Sequence, residues 1–364
     1  MPILTVNAGS SSVKLRLVAD DAIVAERELS APQAQVDPDE LRVALGGALS
    51  DADAVAHRIV HGGERYVAAT LIDEGVRRAL GELTELAPLH QPKSLAALDA
   101  VSVQLPGVPA VACFDTAFHA TLPPAASTYA LPALWRERWG LRRFGFHGLS
   151  HSWVARHAAE LVSGGREPRR IVSCHLGAGA SLCAIADGRS VDTTMGFTPL
   201  EGLVMATRSG SVDPGLLLWL LEREAVSERE MASALEHESG LAGLAGSADM
   251  RAVLERVEHG EAQAGAAVDV YVHRLNASIA AMTAALGGID ALVFTGGVGE
   301  HAPAIRARAC AALAYLGVSV DAAANDEAAG DADITVPGAP VRTLVLRARE
   351  DLEMARQAAA VLSR

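Results

Sequence analysis

The chain has 364 residues, half of them hydrophobic and 21% charged, enough for a large core and more naturally two domains than one. Its 44 acidic against 31 basic residues leave a formal charge of -13, which argues against a nucleic-acid binder and means that any anion site needs local cations. No charge-free apolar run reaches the ~18 residues of a membrane span and no leader-like segment precedes the first strand, so neither a membrane partner nor a signal peptide is expected.

The chain opens with "ILTVNAGSSSVKLRLV". Ile3 to Val6 reads as a buried strand and Val13 to Val18 as a half-exposed one, because apolar and basic residues alternate there. Asn7 to Ser12 is then a hairpin loop offering an amide, three hydroxyls and backbone N–H groups, with Gly9 permitting close approach. Such a loop suits phosphate oxygens, with Lys14 as a point charge, and an ordinary Ser-rich hairpin is the alternative. It is not a Walker A loop, since G-x-x-x-x-G-K-[ST] is absent. Only Lys14 and Lys93 are Lys in a chain that otherwise uses Arg, so a lysine placed here stands out.

Strands are expected near 55–60, 108–114 and 341–347, and helices over 74–86, 92–103, 151–163, 227–237, 249–258, 262–287 and 350–362. Strands and helices alternate, so the class is α/β. The acidic, Ala-rich stretches 30–53 and 321–333 read as surface linkers. A second hairpin, "IVSCHLGAGASLCAIA" at 171–186, repeats the opening: His175-Leu176-Gly177 stands where Asn7-Ala8-Gly9 stood. The half-chain offset suggests a duplicated domain. A third loop, "ALVFTGGVGEHAPAIRARAC", runs from a strand through Gly296, Gly297 and Gly299 into a helix from about Pro303, the form of a phosphate or nucleotide loop.

Cys113, Cys174, Cys183 and Cys310 form no C-x-x-C pair and read as core thiols of a reducing, cytoplasmic compartment. His57/His61 and His147/His151 are spaced i,i+4, but neither pair encloses the Glu of H-E-x-x-H, and adjacent glycines argue against a zinc helix. Structural roles account for about half of the twelve histidines. The chemically interesting residues stand at strand ends beside glycine: Arg58, Asp115, His147 and Arg208, the last in "MATRSGSVDPG". Arginine binds phosphate and carboxylate bidentately.

The runs "VNAGSSSVK", "HRIVHGG", "LAPLHQP", "FDTAFH", "YALP", "FGFHGLSH", "HLGAGAS", "SVDTTMGFTPLEGLVMATRSGSVDP" and "FTGGVGE" span nearly the whole chain. In that order they resemble the acetate kinase family of the sugar kinase–actin–Hsp70 superfamily. The resemblance implies a two-lobed, duplicated actin-like (ribonuclease H-like) ATPase fold with its active-site cleft between lobes. Residues 1–119 with 352–364 would form the N-terminal lobe and 120–351 the nucleotide-side lobe. It implies Mg²⁺ (or Mn²⁺) held by Asn7 and Glu350, and ATP/ADP as co-substrate. Lys14 and the serines near it would contact phosphate. Arg58 would bind the substrate carboxylate. Asp115, His147 and Arg208 would be catalytic. Val60, Leu89, Phe146 and Pro199 would form the small apolar acceptor pocket. The nucleotide would meet His175, Leu176, Gly177, Ala178 and Gly179, then Asp249, Met250 and Arg251, then Gly297, Val298, Gly299, Glu300 and His301. A homodimer is also implied.

The chain departs from the family pattern in three places. Ala178 and His301 stand where Asn is usual, and the segment between Glu28 and His57 is short. The expected reaction is phosphoryl transfer from ATP to acetate. Propionate or butyrate as acceptor, pyrophosphate as donor, and a nucleotide-gated actin- or Hsp70-like protein with no small-molecule acceptor are the competing readings.

Overall fold

The computed structural model describes residues 1–9, 12–30, 37–87, 91–162 and 168–363. The chain packs as two units: Met1–Ala120 with Phe146–Trp153 and Arg349–Arg364, and Thr121–Gly145 with Val154–Ala348.

The first unit holds β1 (Ile3–Ala8), β2 (Ser12–Ala19), β3 (Ala22–Ser30), β4 (Ala54–Ile59), β5 (Thr70–Leu71) and β6 (Ala110–Phe114). They form one sheet in the order β3-β2-β1-β4-β6-β5. The second unit holds β7 (Arg170–Leu176), β8 (Ala180–Ala186), β9 (Arg189–Thr193), β10 (Ala291–Thr295), β11 (Ala332–Asp333) and β12 (Arg342–Val345). Their order, read from the other edge, is β9-β8-β7-β10-β12-β11. The two orders are the same arrangement. Each begins as an antiparallel three-strand meander, adds two parallel strands, and ends on a short antiparallel strand.

The likeness extends to details. In each meander the register shifts in the second strand, between Leu17 and Val18 and between Ala184 and Ile185. In each, a two-residue turn at positive φ follows: Asp20 and Asp21 at 49° and 57°, Asp187 and Gly188 at 47° and 76°. A tight hairpin matching the twist of its strands requires positive φ at both turn positions. The duplication expected from the two Gly hairpins is therefore a duplication of the whole sheet.

Period-two alternation in the first sheet decides what reaches the site. On β4, Val55 and Ile59 pack against the helix Gln91–Gln104, while Ala54 and Ala56 pack against the C-terminal helix Glu350–Leu362. Arg58 follows the second set. On β6, Val111 and Cys113 face the C-terminal helix, so Asp115 continues that face. On β1, Ile3 faces it, and Asn7 continues the same alternation.

The linker reading of 30–53 does not hold over its described part. Pro38–Ala44 is a helix capped by Asp37, and Leu41, Ala44, Leu45 and Leu49 belong to the core over β1 and β2. In 321–333, Asp321 caps the helix Ala322–Glu327 and Ala332–Asp333 forms a strand. Acidic, Ala-rich composition hid short apolar stripes that tertiary packing uses. The helix expected over 227–237 stops at Ser233 and continues as a π turn, Ala234–Glu238.

His57 shares the buried face of β4 with Val55 and Ile59, beneath the helix Gln91–Gln104. Neither ring nitrogen has a hydrogen-bond partner among the described residues. Burial pulls its pKa from 6.5 down to about 4, with Asp99 only partly opposing. The unfolded chain thus binds the proton more readily than the fold. Stability from neutral His57 is full above pH 6.5 and is lost as pH falls from 6.5 towards 4, by about 1.4 kcal/mol per pH unit at most. His61 and His119 are pushed down by burial in the same way. We expect urea unfolding midpoints to fall between pH 7.5 and 5, and to fall less steeply in His57→Leu. An equal slope in the variant would show that His57 is not a source of the acid sensitivity.

Candidate active site

Parallel strands in open α/β sheets direct their carboxyl ends at ligands. At the ends of β1, β4 and β6 the first unit gathers Asn7, Arg58 and Asp115, with Glu350 opening the C-terminal helix on the same face. Arg58 donates from Nε to both Asp115 carboxylate oxygens, each at 3.1 Å, and from Nη2 to Oδ2 at 2.6 Å. Its Nη1 donates to Asn7 Oδ1 at 3.0 Å, and Asn7 Nδ2 donates to Glu350 Oε2 at 3.2 Å. Burial works against the Arg58 charge, but Asp115 and Glu350 outweigh it and hold its pKa above the usual arginine value.

Lys14 stands directly opposite Asn7 in the antiparallel β1–β2 pair, so both side chains lie on one face. The hairpin between them closes through Gly9 N–H to the Ser12 carbonyl at 2.8 Å. Ser10 and Ser11 lie outside the described residues. So does Leu89, expected in the acceptor pocket. Val60 and Phe146 from that pocket are both buried, and Phe146 meets the His61 ring edge-on with centroids 5.6 Å apart.

His147 sits at φ 56°, a region that non-glycine residues seldom enter and that costs about 1–3 kcal/mol. Its neighbours hold it there. The Phe146 carbonyl meets His119 Nε2 at 2.9 Å, and the Gly148 N–H donates to the Asp115 carbonyl at 2.8 Å. A Cβ at Gly148 would lie 2.2 Å from that same oxygen, so the close approach requires glycine. The backbone that presents His147 is thus fastened to the residue that holds Arg58.

The second unit carries the remaining expected residues. His175 and Leu176 end β7, and Gly177 N–H donates to the Gly179 carbonyl at 3.0 Å across the turn. The Ala178 carbonyl accepts from Ala206 N–H at 3.1 Å. Gly296, at φ 79°, brings its backbone so near Leu176 that a Cβ would be 3.0 Å from it. The end of β7 and the glycine-rich stretch after β10 therefore touch. Gly297 faces open space, and His301 is exposed. The stretch expected as a glycine loop is itself a short helix, Gly296–His301, that starts directly after β10 and precedes the helix Pro303–Ala312. The Glu300 carboxylate accepts from Gly296 N–H at 3.0 Å and Ala348 N–H at 2.9 Å, which fixes the start of that helix. Asp249 caps the helix Met250–Glu258 by accepting from Arg251 N–H; Met250 points into the core and Arg251 is exposed.

Pro199 and Arg208 meet within this unit: Arg208 Nη1 donates to the Pro199 carbonyl at 3.1 Å, and its Nε lies 3.3 Å from Glu236 Oε2. The loop that carries Pro199 is clamped from behind. Tyr129 donates to Glu201 Oε2 at 2.6 Å and accepts from Phe197 N–H at 2.8 Å, while Arg143 pairs with Glu201 Oε1 at 2.8 Å. Gly196 has no room for a Cβ because Glu201 and the Tyr129 hydroxyl fill that place. Sequence reasoning missed Glu236, Tyr129, Arg143 and Glu201 as contributors. "YALP" and "PLEG" lay in recognised runs, so two of them were within view; Glu236 carried no local signal.

Comparison with known proteins gives concordant results. The Acetokinase family model matches residues 39–356. An acetate kinase of Synechococcus sp. (strain JA-2-3B'a(2-13)) is 51% identical over 302 residues, covering 83% of this chain and 74% of that protein. The crystal structure of Porphyromonas gingivalis acetate kinase aligns with a TM-score of 0.90 at 32% identity over 99% of each chain. A propionate kinase from Francisella tularensis subsp. tularensis SCHU S4 aligns with a TM-score of 0.90 at 31% identity over 98% of each chain.

Proposed function

The chain belongs to the acetokinase family and is a phosphotransferase, and from that premise we propose the residues through which it passes a phosphoryl group reversibly between ATP and acetate. The linked Asn7–Arg58–Asp115–Glu350 set at the strand ends carries this assignment.

Acetate, with a pKa of about 4–5, is already an anion at pH 7 and needs no general base. The difficulty is repulsion between two anions as a metaphosphate-like group passes between them. Arg58 binds the acceptor carboxylate. Asp115 accepts three hydrogen bonds from Arg58, and this supports a role in aiming that guanidinium rather than in taking a proton. Val60 and Phe146 wall the acetate methyl, joined in the proposal by Leu89 and Pro199. His147 and Arg208 donate to the phosphoryl oxygens, where preorganised donors act most strongly. Lys14 contacts phosphate beside Asn7.

The nucleotide phosphates take the backbone N–H groups around Gly177, Ala178 and Gly179, with His175 and Leu176 leading into that turn. The adenosine lies along Gly297, Val298, Gly299 and His301. Glu300 holds the start of that short helix in place. Asp249 and Arg251 contact the nucleotide from the helix start, while Met250 anchors that start in the core.

Glu350 offers a carboxylate and Asn7 an amide beside it. The amide turns its nitrogen to Glu350 and its oxygen to Arg58, so Asn7 would hold an ion through Oδ1 only after leaving Arg58, or through a bridging water. Among the described residues no cluster of three or more His, Cys, Asp or Glu exists to make an all-protein cage. One carboxylate, one amide, water and phosphate oxygens are what Mg²⁺ accepts, and Mn²⁺ accepts the same. The residues fit, and an ion held there supplies charge neutralisation at the transferred phosphoryl group.

The buried walls at Val60 and Phe146 predict the acceptor. One methylene in an apolar pocket is worth about 1–3 kcal/mol, or 10–200-fold. In a hydroxamate assay with ATP we expect kcat/KM to fall from acetate to propionate to butyrate. A higher value for butyrate than for acetate would overturn the pocket assignment.

We further propose a cytoplasmic homodimer. The helix Pro214–Glu222 and the residue before its cap leave Val212, Leu216, Leu218 and Trp219 exposed, which supports burial against a second copy. All four cysteines are buried thiols outside any disulfide, which suits a reducing compartment. No helix among the described residues is long and apolar enough to cross a membrane.

A further inference from the structure

The π turn Ala234–Glu238 interrupts what the sequence presents as one helix. Such turns are rare and concentrate at functional places. This one is built around a single arginine. Ser209 N–H donates to the Leu235 carbonyl at 3.1 Å, Thr207 Oγ1 donates to the Glu236 carbonyl at 2.8 Å, and Ser239 N–H donates to the Thr207 carbonyl at 2.9 Å. The residues on both sides of Arg208 are therefore bound to the turn. Gly240, at φ 61°, lets the chain leave it: a Cβ there would be 2.2 Å from the Met205 carbonyl and 2.7 Å from that of Arg208.

The turn delivers one carboxylate. Glu236 Oε2 lies 3.3 Å from Arg208 Nε, while the Pro199 carbonyl takes Nη1 at 3.1 Å. A planar guanidinium fastened on two edges has one orientation left. The two side chains are 20% and 16% exposed, so the pair is largely out of water and is stronger than a surface ion pair.

We propose that Glu236 is a positioning residue for phosphoryl transfer: it aims the Arg208 guanidinium at the phosphoryl group and neutralises it before substrate arrives. The proposal rests on the reading of Arg208 as the transition-state donor. Glu236 is assigned no contact with substrate or nucleotide; its contact is with Arg208, through which it acts. An arginine misplaced by about 1 Å can cost 10²-fold in rate, so the effect belongs in kcat.

The test is a double-mutant cycle in the full-length protein, reading kcat, the KM values for ATP and acetate, and the thermal midpoint. Glu236→Ala should lower kcat by about 10- to 100-fold with both KM values little changed, while the midpoint falls to some extent because the arginine is left partly buried and unpaired. Glu236→Gln keeps an acceptor at the same place and should recover most of that loss. In Arg208→Ala the further change Glu236→Ala should do almost nothing, because the arginine it aims is gone. If Arg208→Ala is crippled while Glu236→Ala is normal, or lowers kcat by the same factor with and without Arg208, the positioning role is wrong and the reading of Arg208 stands. If Glu236→Ala instead raises the ATP KM and lowers the midpoint together, the turn is a structural brace and the proposal is overturned. Wild-type activity in Arg208→Ala overturns the reading of Arg208, and the positioning role with it.

Discussion

Arg208→Ala is expected to lower kcat for acetyl phosphate formation by about 10²–10³-fold or more, with a much smaller change in the KM for acetate. The chain is acidic overall, with a formal charge of -13, so charge for a transferring phosphoryl group must be supplied locally. Arg208 is held by the Pro199 carbonyl and Glu236, and its side chain is only 20% exposed. A cation held in a poorly hydrated place pays no reorganisation as charge develops on the phosphoryl oxygens, so its loss appears in the chemical step. Arg208→Lys should recover little, since one ammonium cannot reproduce the two-edged anchoring. Steady-state kinetics of both variants against acetate and ATP checks this. An Arg208→Ala enzyme within a few-fold of wild type would mean that the arginine merely joins two loops.

Asp115→Asn is the second large effect, expected to lower kcat/KM for acetate by about 10²-fold. The buried carboxylate accepts from both Nε and Nη2 of Arg58. An amide offers one acceptor oxygen and no charge, so the guanidinium loses its aim and its counter-ion together. The backbone bond from Gly148 N–H to the Asp115 carbonyl survives the change, so His147 keeps its conformation. The pH–rate profile separates the two possible roles. If Asp115 were a proton acceptor, wild type would show an acid limb that Asp115→Asn lacks. If it aims Arg58, both profiles have the same shape at different heights. A limb that vanishes in the variant would contradict the positioning role.

Much of this arrangement was legible in the sequence, for physical reasons. The two strand–glycine-turn–strand hairpins at 7–12 and 175–179 were each weak alone but informative as a repeated pair, and the strand before Gly296 was legible from its apolar run, although the glycines after it form a short helix rather than a loop. Arg58 and Asp115 read from the sequence as residues at strand ends beside glycine, and they lie near the end of β4 and directly after β6. β3 was missed because it is an edge strand exposed along most of its length, with Glu26, Arg27 and Glu28 replacing the apolar alternation. The helix Pro38–Ala44 was hidden in an acidic, Ala-rich stretch whose packing partners lie elsewhere in the chain. Glu236 was invisible because helix periodicity continues smoothly through 227–237, and nothing local announces an extra residue in the turn. The strain at His147 was also unreadable, since it depends on His119 and the Asp115 carbonyl rather than on its neighbours in sequence.

The most direct test follows the phosphorus atoms. Purified protein with ATP, Mg²⁺ and acetate, watched by ³¹P NMR, should show an acetyl phosphate resonance growing with that of ADP, and acetyl phosphate with ADP should return ATP. Inorganic phosphate released from ATP at a rate indifferent to acetate, with no acyl phosphate signal, would contradict the account.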